Sequence, residues 1–140
     1  MGAPPADILA LVDAAVAARE QAYAPYSNFP VGAALRTASG RIFVGCNLEN
    51  AAYPATVCAE RVALFSAYAA GEREIVELAV VADSPGPVSP CGICRQVIAE
   101  LAPRCKIMLA NTAGALRITT PQELLPGAFT PEDLPPPHET

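Results

Sequence analysis

Residues 75–110 read IVELAVVADSPGPVSPCGICRQVIAELAPRCKIMLA. Ile75–Ala82 is a short apolar run rich in valine, the pattern of a buried strand. Ser84-Pro-Gly-Pro-Val-Ser-Pro90 has loop composition. Residues 91–102 have helical character and meet a stop at Pro103, and residues 105–110 form a second apolar strand. Strand, helix and strand in this order predict a crossover unit, and hence a pair of parallel strands with a helix laid over them.

Ile8, Leu11, Val12, Ala15 and Val16 recur at helical spacing, so residues 6–22 are expected as a helix ended by Pro25. Residues 31–35 and 41–46 read as strands joined by a Ser39-Gly40 turn. Residues 58–70 form a helix closed by Gly71, and residues 115–119 form a last strand. Together these elements predict an α/β fold: a three-layer α-β-α sandwich around a mixed five-stranded sheet. From Thr120 the chain is rich in proline, and residues from about 131 to 140 read as a disordered tail. A length of 140 residues fits one domain over 1–140.

The formal charge is −5, and the nine basic residues are dispersed. Polynucleotides need a basic stripe to neutralise phosphates, so no nucleic-acid partner is expected. No run is long and uniform enough to span a bilayer, and no membrane partner is expected either. The apolar fraction of 52% exceeds the usual 45–50%, which fits buried helices or surface hidden between subunits. The first residues lack a basic stretch followed by an apolar one. Five cysteines do not form a secreted disulfide pattern, so a cytoplasmic protein is expected, with thiols kept for metal.

In a helical first turn, Cys91 and Cys94 share one face. Cys58 opens another helix, and a carboxylate, Glu60, follows two residues later. Three thiolates fill three corners of a tetrahedral zinc site and leave the fourth for water. Ligands in such sheets gather beyond strand ends near helix N-termini, where both motifs fall. Glu60 is then the candidate proton carrier, and Arg61, Arg95 and Gln96 are candidate donors to the thiolates. CxxC also occurs in redox sites and structural zinc knuckles. Cys46 and Cys105, in strands, read as small buried hydrophobes. His138, the one histidine, lies in the tail.

Cys58-Ala-Glu60 with Pro90-Cys-Gly-Ile-Cys94 resembles the signature of zinc nucleobase deaminases in its all-cysteine form. Residues 26–35 (YSNFPVGAAL), 47–53 (NLENAAY), 58–61 (CAER), 89–96 (SPCGICRQ) and 123–129 (ELLPGAF) resemble the small homotetrameric cytidine deaminases in order and spacing. The resemblance spans roughly residues 6–130. It implies a cytidine deaminase-like fold, one zinc ion per subunit on Cys58, Cys91 and Cys94, and hydrolytic deamination of cytidine and 2′-deoxycytidine with Glu60 moving the protons. It further implies that Asn47 and Glu49 hold ribose hydroxyls and that Phe29 packs on the base. Backbone groups of Ala59, Cys91 and Ser89 would read the pyrimidine, Tyr53 would line the substrate site, and Phe129 would reach a neighbouring subunit. Pro54 and Ile93 stand where the resemblance leads one to expect glycine and alanine, and Ile93 is expected to fill a gap beside the metal.

On residue type alone, Asn47 and Glu49 are equally at home as ordinary loop residues. Two other readings stay open: a blasticidin-S-type deaminase, and a non-catalytic zinc-stabilised binding domain.

Overall fold

The computed structural model describes residues 5–136. Its elements are α1 (Ala6–Arg19), β1 (Val31–Thr37), β2 (Ile42–Cys46), α2 (Ala59–Ala69), β3 (Ile75–Ala82), α3 (Gly92–Leu101), β4 (Lys106–Asn111), β5 (Leu116–Thr119) and α4 (Pro121–Leu124). Short 3-10 turns occupy Tyr53–Ala55 and Pro131–Asp133.

The strands lie in the order β2-β1-β3-β4-β5. The β3/β4 pair is parallel and every other pair antiparallel. The parallel pair is the one joined through α3, as the crossover pattern predicts. Alternation along the strands then sorts the core into two layers. Ala33, Leu35, Leu78, Val80, Ile107 and Leu109 face α2 and α3. Ala34, Ala79, Val81, Met108 and Ala110 face Ile8, Leu11 and Ala15 of α1. Both faces of the central strands are covered, which is why β3 reads as a continuous apolar run.

One expected boundary shifts, and the proline-rich C-terminal stretch carries two short elements. Helix α1 ends at Arg19, well before Pro25. The chain there turns to pair with the site loop: the Tyr23 N–H donates to the Asn47 carbonyl (3.0 Å), and the Glu49 N–H donates to the Tyr23 carbonyl (2.8 Å). The proline-rich stretch after Thr120 is not irregular throughout. Thr120 caps α4 by accepting from the Glu123 N–H, and the segment expected to be disordered opens on the Pro131–Asp133 turn, capped by Thr130. Residues 137–140, with His138, lie outside the described residues. Cys105 is buried in the core, which pushes its thiol up to about 12; Cys46 is only half-buried.

Two glycines set how closely the helices approach the sheet. A Cβ at Gly32 would stand 2.0 Å from the Ala15 carbonyl oxygen of α1. A Cβ at Gly45 would stand 2.4 Å from the Ala59 carbonyl oxygen and 2.6 Å from the Ala63 nitrogen. The second contact seats the first turn of α2, which carries Glu60, directly on β2. Gly45→Ala is expected to destabilise the fold by about 3 kcal/mol through overpacking and to weaken metal retention. Gly86→Ala, with open space around the added carbon, serves as the control in thermal melts and metal analysis.

Candidate active site

Cys58 and Cys91 are the N-cap residues of α2 and α3, both with extended backbone, and neither side chain caps its own helix. The sulfurs are therefore free to point into the space between the helix ends. The three sulfurs of Cys58, Cys91 and Cys94 lie within 4.8 Å of one another, the one cluster of metal-ligating side chains among the described residues. The Cys58–Cys91 separation is 3.8 Å. A tetrahedral ion with Zn–S bonds of ~2.3 Å has an edge of about 3.8 Å, so the sulfurs already hold a geometry that fits zinc.

Their electrostatics fit as well. Hydrogen bonding from the Cys94 thiol, helped by Arg61 and Cys91, pulls the Cys58 thiol down to about 5 against the opposing effect of burial. The same bond to Cys58, with burial, pushes Cys94 up. Arg61 places one nitrogen 3.6 Å from the Cys58 sulfur and 3.4 Å from the Thr56 carbonyl oxygen. Its Nε is buried without a partner, which leaves a spare donor beside the thiolates. The N-termini of α2 and α3 add partial positive charge. Cys94 is fully buried and Cys91 exposed, so the sulfur cluster runs from the core to open space.

Glu60 is 3% exposed. Burial is the main cause that raises its carboxyl above the ordinary value, and the charge on Cys58 adds to it. It lines a cavity of about 280 Å³ together with Cys58, Cys91, Phe29, Asn47, Glu49, Ala59 and Ser89. Residues from four separate stretches, expected to share one site, thus meet in one hollow. A larger groove of about 460 Å³ between α3 and the C-terminal segment carries none of them.

The remaining candidates lie elsewhere. Tyr53 is 70% exposed and stacks edge-on against Tyr26 at 5.6 Å, on the rim beside Ser27 and Glu49. Phe129 is exposed, and its carbonyl accepts from the Gln96 amide at 2.9 Å. Gln96 therefore holds the C-terminal segment where a bond to a thiolate was expected. Arg95 likewise spends its donors on the Pro90 carbonyl (2.9 Å), the Leu124 carbonyl (2.7 Å) and the Ser89 hydroxyl (2.6 Å). It fixes the loop that leads into Cys91. Ile93 does not fill a gap beside the sulfurs; it is 63% exposed. Ser27, Val31, Thr56, Val80 and Val88 also line the cavity. Nothing in their residue types marks them, although Ser27 and Val31 stand in the motif that holds Phe29.

The chain matches the family model described as the cytidine and deoxycytidylate deaminase zinc-binding region over residues 6–110. It is 55% identical over 125 residues to a cytidine deaminase of Halalkalibacterium halodurans, covering 89% of this chain and 95% of that protein. It is also 55% identical over 129 residues to a cytidine deaminase of Sporosarcina psychrophila, covering 91% and 95%. The crystal structure of cytidine deaminase from Burkholderia pseudomallei superposes with a TM-score of 0.85 at 56% identity, covering 86% of this chain and 98% of that one.

Metal sites are in general coupled to folding, because the ligands come together only in the folded chain. Cys91→Ala is expected to drop bound zinc from about one equivalent to near none, and to lower the melting temperature to that of the chelator-treated protein. Stoichiometric zinc with an unchanged melt in that variant would remove Cys91 from the ligand set.

Proposed function

The chain belongs to the cytidine and deoxycytidylate deaminase family, and from that premise we propose that it hydrolyses cytidine and 2′-deoxycytidine to uridine and 2′-deoxyuridine with release of ammonia. The observation that carries this reading is the buried carboxyl of Glu60 in the same cavity as Cys58 and Cys91. A structural zinc site has no need of a desolvated carboxyl beside it, and a binding domain gains nothing from the cost of burying one.

Cys58, Cys91 and Cys94 would hold the zinc ion, which supplies Lewis acidity that lowers the pKa of a coordinated water toward ~7. Glu60 takes one proton from the attacking water and delivers it to N3 of the pyrimidine. It then takes the second from the hydroxyl so formed at C4 and delivers it to the departing amino group, which leaves uridine and ammonia. Burial raises the Glu60 carboxyl above the ordinary value, the direction that suits a group that must accept a proton and then give it back. Ala59 is the first residue of α2, so its N–H is one that a helix leaves without an internal acceptor. With the Cys91 N–H and the Ser89 carbonyl it reads the polar edge of the base. Phe29 packs on the ring. Asn47 and Glu49 take the sugar hydroxyls, and Tyr53 borders the opening. The acceptor-only carboxylate of Glu49 disfavours a phosphate nearby, which favours nucleosides over nucleotides.

Large apolar side chains remain exposed on several elements: Ile42 and Val44 on the edge strand β2, Phe65 on α2, and Phe129. Contact with another molecule would cover such side chains. We read it as the subunit interface of a homotetramer in which Phe129 enters a neighbour's site. No helix among the described residues is long and apolar enough to cross a membrane. The thiol ligands fit a reducing cytoplasm.

Glu60→Gln is expected to keep zinc and melting temperature while losing at least about 10²-fold in kcat on cytidine; near-normal turnover would end the proton-carrier role. In solution, light scattering is expected to give the mass of four chains. A fully active monomer would refute the shared site.

A further inference from the structure

We infer that Ser27 is a positioning residue for the deamination reaction, its hydroxyl tying the carboxylate that takes the sugar to the phenyl ring that takes the base. The inference rests on the roles proposed above for Glu49 and Phe29.

A serine hydroxyl has one hydrogen to give and two lone pairs to receive. Here the hydrogen goes to Glu49 Oε2, and the Phe29 N–H enters one lone pair at 3.1 Å. The other carboxylate oxygen of Glu49, Oε1, is already taken by two backbone donors, the N–H groups of Tyr26 (2.9 Å) and Ser27 (3.1 Å). The loop is thus wrapped around one carboxylate. These bonds, that from the Ser27 hydroxyl foremost, hold the Glu49 carboxyl below its ordinary value.

The wrap needs a special turn. Asn28 adopts φ 54°, a left-handed conformation that asparagine tolerates better than most residues. It lets the chain double back so that the Phe29 N–H meets the Ser27 oxygen. Asn47 then clamps the far side of Phe29, donating to its carbonyl at 2.9 Å and accepting from the Val31 N–H at 2.8 Å.

The Glu49 carboxylate keeps one place open for a sugar hydroxyl. Oε1 receives two N–H groups, while Oε2 receives only Ser27 and keeps free acceptor capacity. A sugar hydroxyl would donate to Oε2, beside the serine. Ser27 therefore fixes the rotation of the carboxylate whose free lone pair the sugar needs, and the same oxygen fixes the backbone of Phe29. Its hydrogen bonds run to Glu49 and Phe29, and among the described residues none joins it to Glu60 or to the three cysteines. Its loss should weaken substrate and transition-state binding alike, raising KM and sparing kcat.

The test is steady-state kinetics on cytidine with the zinc-loaded oligomer for Ser27→Ala, Ser27→Thr, Glu49→Gln and the double variant Ser27→Ala/Glu49→Gln. Removing a hydrogen bond to a charged group should raise KM about tenfold in Ser27→Ala, with kcat within about twofold. Ser27→Thr keeps the hydroxyl and should restore KM to within about threefold of the parent. In the double variant the effects should combine to well below their product, because the serine acts through the carboxylate. Unchanged KM in Ser27→Ala, with KM raised in Glu49→Gln, would overturn the inference and leave the sugar role of Glu49 standing. Unchanged KM in Glu49→Gln would overturn both. A loss in Ser27→Thr equal to that in Ser27→Ala, or full multiplicativity in the double variant, would overturn the hydroxyl link.

Discussion

Three sulfurs within 4.8 Å of one another pose an electrostatic problem around which the fold is arranged. Three thiolates in one place repel, and even a divalent cation leaves the cluster with one excess negative charge. The solution is distributed. Two helices begin at the ligands, so their free N–H groups face the charge. Arg61 lies alongside with a hydrogen bond to one sulfur and a spare buried donor. The hydrogen bond from Cys94, with Arg61 and Cys91 beside it, draws the Cys58 thiol toward its anionic form. Each feature stabilises the same set of charges, and none would be required by packing alone.

That arrangement also accounts for how the two motifs come together. Cys58 and Cys91 are far apart in sequence. The order β2-β1-β3-β4-β5 brings the starts of α2 and α3 to the same end of one sheet face. The Gly45 contact presses the first turn of α2 down onto β2. Arg95 ties the loop before Cys91 to the end of α4. The helix ends are thus set by backbone contacts, and the buried carboxyl of Glu60 carries a desolvation cost that the alanine-lined face of α2 and the apolar strands beneath it offset.

Much of this was legible in the residue pattern, for a definite reason. Period-two and helical spacings report on burial, and burial is continuous here, so β3, α2 and α3 fall within a residue or so of where Ile75–Ala82, the Gly71 stop and the Pro103 stop put them. Cysteine spacing reports on ligand geometry, so the sulfur cluster was legible too. What escaped was set by pairing across the chain. Helix α1 stops at Arg19 because Tyr23 is drawn onto Asn47 and Glu49, and no local signal encodes that. Gln96 and Arg95 sit beside a ligand in sequence yet reach away from the sulfurs to Phe129 and Leu124. A helix turns about 100° per residue, so neighbours of a ligand face elsewhere. Ile93 is exposed for the same reason.

The residues assigned to substrate turn out to hold the protein together as well. The Asn47 amide joins the Phe29 carbonyl to the Val31 N–H, and Glu49 gathers the loop around its carboxylate. Reading them as ordinary loop residues and reading them as sugar ligands are therefore not exclusive. A side chain already immobilised by backbone donors costs little further entropy when a ligand arrives. Its remaining lone pairs are aimed before binding, and the ring of Phe29 is placed by the same contacts. The cavity gains pre-organisation from the bonds that shape its wall, and so a substitution at either residue should disturb loop and ligand together.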